Sequence, residues 1–271
     1  NGSFILRLLA PSGTRIEETT RLCDLIEQNI RKTVPASEVD NILDNIGLPY
    51  STINFSHSTS GLIGSGDADI LVSLKQKHRP TEEYIASLRK SLPRDFPGVV
   101  FYFLPSDIVT QILNFGLPSP IDVQFEGSNT TANRAVANKV LSELRKVPGL
   151  VDLRVQQPDD YPVLNIHVDR TKAAQGGYTF RDIGGSLLNI LSGSSQLTPM
   201  FFLNEKNGIN YTIVAQAPQY EIQSLSDLQN IPLSSPTSKQ PEILGDVASI
   251  TRGTEMPVVS HYNLRRVLDI Y

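Results

Sequence analysis

The order of apolar patterns over residues 3–104 constrains this chain more than any single motif. Phe4 to Leu9 reads as a strand, and Ala10-Pro11-Ser12-Gly13 as a turn. The helix that follows carries Leu22, Ile26 and Ile30 on one stripe and ends at Pro35. Thr14 and Glu17 have the spacing of a capping box at its start. Glu38 to Ile46 reads as a second strand, broken by Gly47-Leu48-Pro49. Residues 54–66 are polar and glycine-rich and read as a loop. Ile70, Val72 and Leu74 alternate through a third strand, Asp69 to Lys75. Thr81 is placed to cap a second helix, with Glu82 and Glu83 in its first turn and Ile85, Leu88 and Leu92 on its apolar side. Pro97-Gly98 then turns the chain into Val99 to Leu104. The order β-α-β-β-α-β is the ferredoxin-like arrangement, two helices on one face of a four-stranded sheet, and sets the fold class as α+β.

A second unit begins after Pro118-Ser119-Pro120. Ile121 to Phe125 reads as a strand, and Thr130 to Val147 as a helix with Val136, Val140, Leu144 and Val147 on one side. Pro148-Gly149 repeats the Pro97-Gly98 device, and Leu150 to Val155 reads as the next strand. This approximate repeat supports a duplicated module, interrupted after β-α-β by a mixed segment of roughly a hundred residues, the size of a small domain. In that segment Leu164 to Val168 reads as a strand. Thr179 to Asp182 and Ser224 to Asp227 mark helix starts, and Met200 to Leu203 with Ile209 to Ala215 read as a hairpin. Ile231 to Leu233 and Glu242 to Leu244 flank a polar tip, and Val258 to Tyr262 and Val267 to Ile270 read as late strands.

Composition narrows the function. Lys and Arg number 24 against 28 Asp and Glu, so no basic excess draws the chain to nucleic acid. Cys23 is the one cysteine, which excludes an internal disulfide framework, and His57, His78, His167 and His261 lie too far apart for a zinc motif. No apolar run is long enough to cross a bilayer. Asn1-Gly2-Ser3-Phe4 has no signal-peptide pattern, and Val267 to Tyr271 stops within strand-like sequence, so the chain is expected to be a piece of a longer one.

No catalytic constellation emerges. Gly184-Gly185-Ser186 is not a nucleophile elbow, and the glycines from Gly61 to Gly66 lack the order of a phosphate loop. Asp67 with Asp69, and Asp159 with Asp160, lack the third ligand or histidine that would make a site. Cys23 reads as a buried, inert thiol. The expectation is therefore no enzyme, no metal site and no cofactor. The apolar run around Asn114-Phe115-Gly116-Leu117-Pro118 lies between the two units, where a cleft would form. Inter-module packing competes with binding as its role.

Several stretches then resemble one family, in the right order. They are Arg7 to Thr19, Ile42 to Pro49, Ile70 to Lys75, Ser106 to Gly116, Val168 to Ala174 and His261-Tyr262-Asn263. Each is similar to the second large periplasmic loop of resistance-nodulation-division (RND) transporters of the acriflavine-resistance, multidrug type, and together they cover nearly the whole chain. The resemblance implies a periplasmic portion of a proton-driven inner-membrane antiporter. Residues 1–105 would be a complete porter subdomain, 106–119 a link, and 120–159 the first half of a second porter subdomain. Residues 160–260 would be an inserted docking subdomain, and 261–271 a returning, truncated strand.

Carried onto this sequence, the family's substrate cleft and switch loop fall on Gly47, Leu48, Pro49, Tyr50, Ile53, Phe55, Phe101, Phe103 and Phe115. The multidrug switch loop is rich in phenylalanine, whereas this one has only Phe55. Ser235, Pro236, Thr237, Ser238, Lys239 and Gln240 would form a docking tip. Implied partners are small hydrophobic or amphiphilic substrates, a periplasmic adaptor, an outer-membrane channel and two further copies in a homotrimer. The energy-coupling residues would lie in transmembrane helices outside this chain. An exporter of lipid-like molecules or metal ions stands as the alternative. Metal ranks lower because Met200 and Met256 both fall in the inserted region. A non-catalytic interaction module is the further alternative.

Overall fold

The computed structural model describes residues 2–48, 62–114, 117–238 and 240–271. The described chain forms two compact units, residues 1–162 with 254–271 and residues 163–253.

The first unit opens with β1 (Ser3–Leu9), α1 (Ile16–Thr33), β2 (Val39–Ile46), β3 (Asp67–Leu74), α2 (Thr81–Asp95) and β4 (Val100–Leu104). The sheet order is β2-β3-β1-β4, with every neighbour antiparallel. Strand alternation sends Phe4, Leu6 and Leu8 of β1 and Ile70 and Val72 of β3 into a core closed by Cys23, Ile26 and Ile30 of α1 and Leu88 and Leu92 of α2. The opposite face carries Arg7, which the register sets between Asp69 and Tyr102.

Both helix starts differ from expectation. Helix α1 begins after Arg15 with no side-chain cap. Thr14 instead donates its hydroxyl to the Pro11 carbonyl at 2.6 Å, stabilising the turn rather than the helix. Helix α2 has Pro80 at its N-cap, and Thr81 is its first residue, buried among the helix's inward side chains. Proline at this position fixes the backbone without a side-chain cap, and its carbonyl accepts the Glu83 N–H at 3.1 Å.

After α3 (Ile108–Leu113), capped by the Asp107 carboxylate at Thr110 N, come β5 (Val123–Glu126) and α4 (Thr130–Leu144). Helix α4 is rotated from the expected stripe. Ala137 is its buried residue, and Val136 is 52% exposed, as is Val147 beyond its end at 47%. Gly98 and Gly149 both take left-handed backbone, at φ 88° and 92°, which is why proline-glycine recurs. The two turns then diverge. Residues 150–155 are not a strand: Asp152 has φ 60°, and only Val155 makes a bridge, to Ile270. The final strands, β10 (Ser260–Tyr262) and β11 (Arg265–Ile270), complete a sheet of order β10-β11-β5.

The second unit is built around β6 (Tyr161–Val168) and β9 (Ala248–Glu255), which pair with one another. Between them lie α5 (Arg170–Gln175), α6 (Phe180–Ser192), the hairpin of β7 (Met200–Asn204) and β8 (Ile209–Ile213), α7 (Leu225–Gln229) and α8 (Leu244–Val247). Thr179 with Asp182 and Ser224 with Asp227 form the expected capping boxes of α6 and α7. Ile231 to Leu233 and Glu242 to Leu244 approach each other at the base of the tip, where Leu233 N–H donates to the Glu242 carbonyl at 2.9 Å. Ile243 makes one bridge, to Pro232, and Leu244 opens α8. Tyr178, Ile183, Leu228, Ile231, Leu244 and Val247 form the core of this unit.

Candidate functional site: two cavities beside the first sheet

The polar face of the first sheet is where the halves of the first unit meet. Arg7 is 2% exposed and donates from Nε and one terminal nitrogen to the two Asp69 oxygens at 2.6 and 2.7 Å. Burial opposes its charge, but the bonds with Asp69 and the nearby Tyr102 outweigh it and raise the Arg7 pKa. Arg154 enters from the second half. Its guanidinium carbon lies 3.5 Å from the Tyr102 ring centroid and 5.5 Å from that of Tyr271. Burial pulls the Arg154 pKa down, and repulsion from Arg7 adds to the effect. Burial, with Asp269 and Asp122 adding repulsion, pushes the Tyr271 phenol up to about 12.

Two cavities flank this stack. The larger, about 420 Å³, has walls from Arg89, Phe103 and Leu104 on one side and Pro118 to Ile121, Leu150 to Arg154 and Tyr271 on the other. The smaller, about 280 Å³, lies between the β1 turn at Pro11 to Gly13, Tyr102, and the segment Val155 to Tyr161. Across it Ser12 donates its hydroxyl to Asp160 at 2.8 Å. Both are of the small-ligand size class or just below it, with mainly apolar walls and a few polar groups.

The carboxylate pairs weighed from sequence are each committed elsewhere. Asp69 holds Arg7, and Asp67 accepts the Ile63 and Gly64 N–H groups at 2.6 and 3.1 Å. Asp159 pairs with Arg134 at 3.0 Å. Among the described residues no group of three or more His, Cys, Asp or Glu is arranged to hold a metal ion. Cys23 is buried, and desolvation together with Asp44, Asp24 and Glu27 pushes its thiol up to about 12, so it stays protonated.

Of the residues carried over from the family, Phe103 lines the larger cavity. Phe101 packs instead against Phe96 beside the helical core, with ring centroids 6.2 Å apart. Gly47 takes φ 72° and donates its N–H to the Asp67 carbonyl, and Leu48 beyond it is exposed. Pro49, Tyr50, Ile53, Phe55 and Phe115 lie outside the described residues, as does Lys239 of the docking tip. At that tip Ser235 and Thr237 donate their hydroxyls to the Gly177 carbonyl, and Ser238 donates to the carbonyl of Gln240. Pro236 lies within this turn. Sequence reading missed Arg89, Asp152 and Arg154. Their partners lie far away along the chain, and no local spacing marks them.

A crystal structure described as a heavy metal efflux pump shares this fold, with a TM-score of 0.75 over 100% of this chain and 27% of that one. Identity there is 21%, so the likeness is one of fold. A fold of this kind is thus found as part of an efflux transporter. No helix among the described residues is long and apolar enough to cross a membrane.

The model of the AcrB/AcrD/AcrF family matches residues 1–271, and the chain belongs to that family. Protein HelA of Legionella pneumophila is 22% identical over 98% of this chain and 25% of its own length. The cobalt-zinc-cadmium resistance protein CzcA of Cupriavidus metallidurans is 22% identical over 87% of this chain and 21% of its own. The chain thus spans about a quarter or less of the length of these relatives.

These relatives overturn the finer expectation of an acriflavine-resistance, multidrug-export type. Metal was ranked lower because Met200 and Met256 fall in the inserted region, a criterion that bears only on soft ions such as Cu(I). Borderline divalent ions take imidazole and carboxylate ligands.

Proposed function

We propose that this chain is the periplasmic cargo-handling portion of an RND efflux transporter that exports heavy-metal cations. The observation that carries the reading is the match to a cobalt-zinc-cadmium resistance protein across 87% of the chain. The fold of a heavy-metal efflux pump over the full chain supports it. In this reading residues 1–105 are a complete ferredoxin-like porter module. The α4 segment with β5 and β11 belongs to a second, incomplete one, and the unit around β6 and β9 is the docking layer.

The segment Gly47 to Phe55 borders the cargo path, and the tip at Ser235 to Gln240 meets an adaptor or outer-membrane channel within a trimeric pump. Proton coupling belongs to membrane-spanning parts outside this chain. Imidazole and carboxylate donors suit divalent heavy-metal cations.

The test is expression of the full-length transporter in a bacterial host stripped of its own metal exporters. Tolerance to zinc, cobalt, cadmium, nickel, copper and silver salts is measured beside tolerance to a hydrophobic dye. Raised tolerance to at least one cation with dye tolerance unchanged is the expected result. A gain for the dye alone overturns the reading.

A further inference from the structure

We propose that Arg89 and Asp152 form a releasable latch that holds the larger cavity shut. Arg89 stands on α2 in the first module, and Asp152 on the irregular segment after α4. Arg89 donates from Nε and a terminal nitrogen to the two Asp152 oxygens at 2.9 and 2.6 Å, a two-point charge-assisted pair. One of those oxygens also accepts the Phe103 N–H at 3.1 Å, on the outer edge of β4. The Arg89 guanidinium lies 5.1 Å from the Phe103 ring centroid. All three residues line the cavity, so one carboxylate ties the helix and edge strand of one wall to the opposing wall.

The position suits release as well as closure. The Arg89 side chain is 33% exposed and that of Asp152 14%, so water can take over the freed charges without the penalty of a deeply buried pair. Between the left-handed Gly149 and Arg154 the chain belongs to no strand; pairing resumes at Arg154, which exchanges backbone hydrogen bonds with Tyr271 at 3.0 and 3.1 Å. Moving residues 150–153 away from β4 therefore breaks the latch while the first sheet and the pairing from Arg154 onward hold. This inference does not depend on which cargo the transporter carries.

The test uses the full-length transporter in membranes, with Leu150→Cys placing one thiol in the cavity wall. Cys23 is buried and adds little background. The rate of maleimide labelling at position 150 is followed. Arg89→Gln and, separately, Asp152→Asn each raise it by about tenfold, the scale of one charge-assisted bonding pair. Arg89→Lys, which keeps the charge but not the fork, falls between. Added salt speeds labelling when the pair is intact and leaves the Arg89→Gln protein unaffected. Melting curves confirm that each variant is folded, and Arg89→Gln, the more exposed change, decides the matter if Asp152→Asn is not. An unchanged rate in folded Arg89→Gln overturns the latch, as does a salt effect that persists in that variant.

Discussion

Arg7 and Asp69 show how one register decides the character of a sheet face. They are cross-strand neighbours, bonded at two points and closed off from water. Removing one partner strands a buried charge, which costs about 3–5 kcal/mol. Asp69→Asn is therefore expected to lower the denaturant midpoint sharply, whereas Arg7→Met combined with Asp69→Leu recovers much of the loss. Equal destabilisation by the single and double changes would show that the pair is not what matters. This pair was half legible in sequence: alternation put Asp69 at the start of a strand, and nothing local put Arg7 opposite it. Cys23 was read correctly because its place on an apolar helix stripe carries the information. Its thiol is expected to react with a disulfide reagent only after unfolding.

At the scale of the element, α1 and β2 carry a pH-sensitive contact. Burial, then Glu27 and Asp24, push the Asp44 carboxyl up to about 6. The folded state thus holds this proton more tightly than the unfolded chain, where the value is about 4. The stability it contributes is fully present below about pH 4 and is lost as pH rises through about 6. Glu17, Glu38 and Asp95 are shifted downward and act in the opposite sense, so the difference between Asp44→Asn and the parent isolates the effect. Denaturant midpoints at pH 4.5 and 7 are expected to show the variant gaining on the parent at the higher pH. No change in that gap would refute it.

Capping is a second test at this scale. Thr179 closes a full capping box with Asp182, and Thr179→Ala is expected to cost about 1 kcal/mol in the stability of the second unit. The capping boxes at Thr179 and Ser224 were legible, but the one at Thr14 was not real. A threonine after Pro-Ser-Gly serves the turn as readily as the helix. Strand β9 escaped notice because Thr251, Arg252, Thr254 and Glu255 give it no apolar alternation. Residues 150–155 misled in the opposite way: a valine-rich run looked like a strand, yet Asp152 sits in left-handed backbone that breaks it.

For the molecule as a whole, the β-α-β-β-α-β order and the family were legible because long periodic elements and ordered motifs survive at low identity. The cargo class was not, because it depends on donor atoms brought together in space, which no local spacing in the sequence marks. The hairpin of β7 and β8 presents Met200, Phe202, Tyr211 and Ile213 on one face by its register, with Phe202 56% and Tyr211 46% exposed. A two-stranded hairpin with an uncovered apolar face attracts another surface. Produced alone, this chain is expected to self-associate with rising concentration, and Phe202→Lys with Tyr211→Lys to suppress it in sedimentation velocity. A concentration-independent parent would count against that reading.

The Phe103 amide is held by a side chain from across the cavity rather than by a neighbouring strand. Its exchange with deuterium is therefore a clock for one event. The inward amides of β4 wait on disruption of the sheet, but this one waits only on Asp152 leaving. A single peptide mass, followed over time in heavy water, reads how often the two walls part.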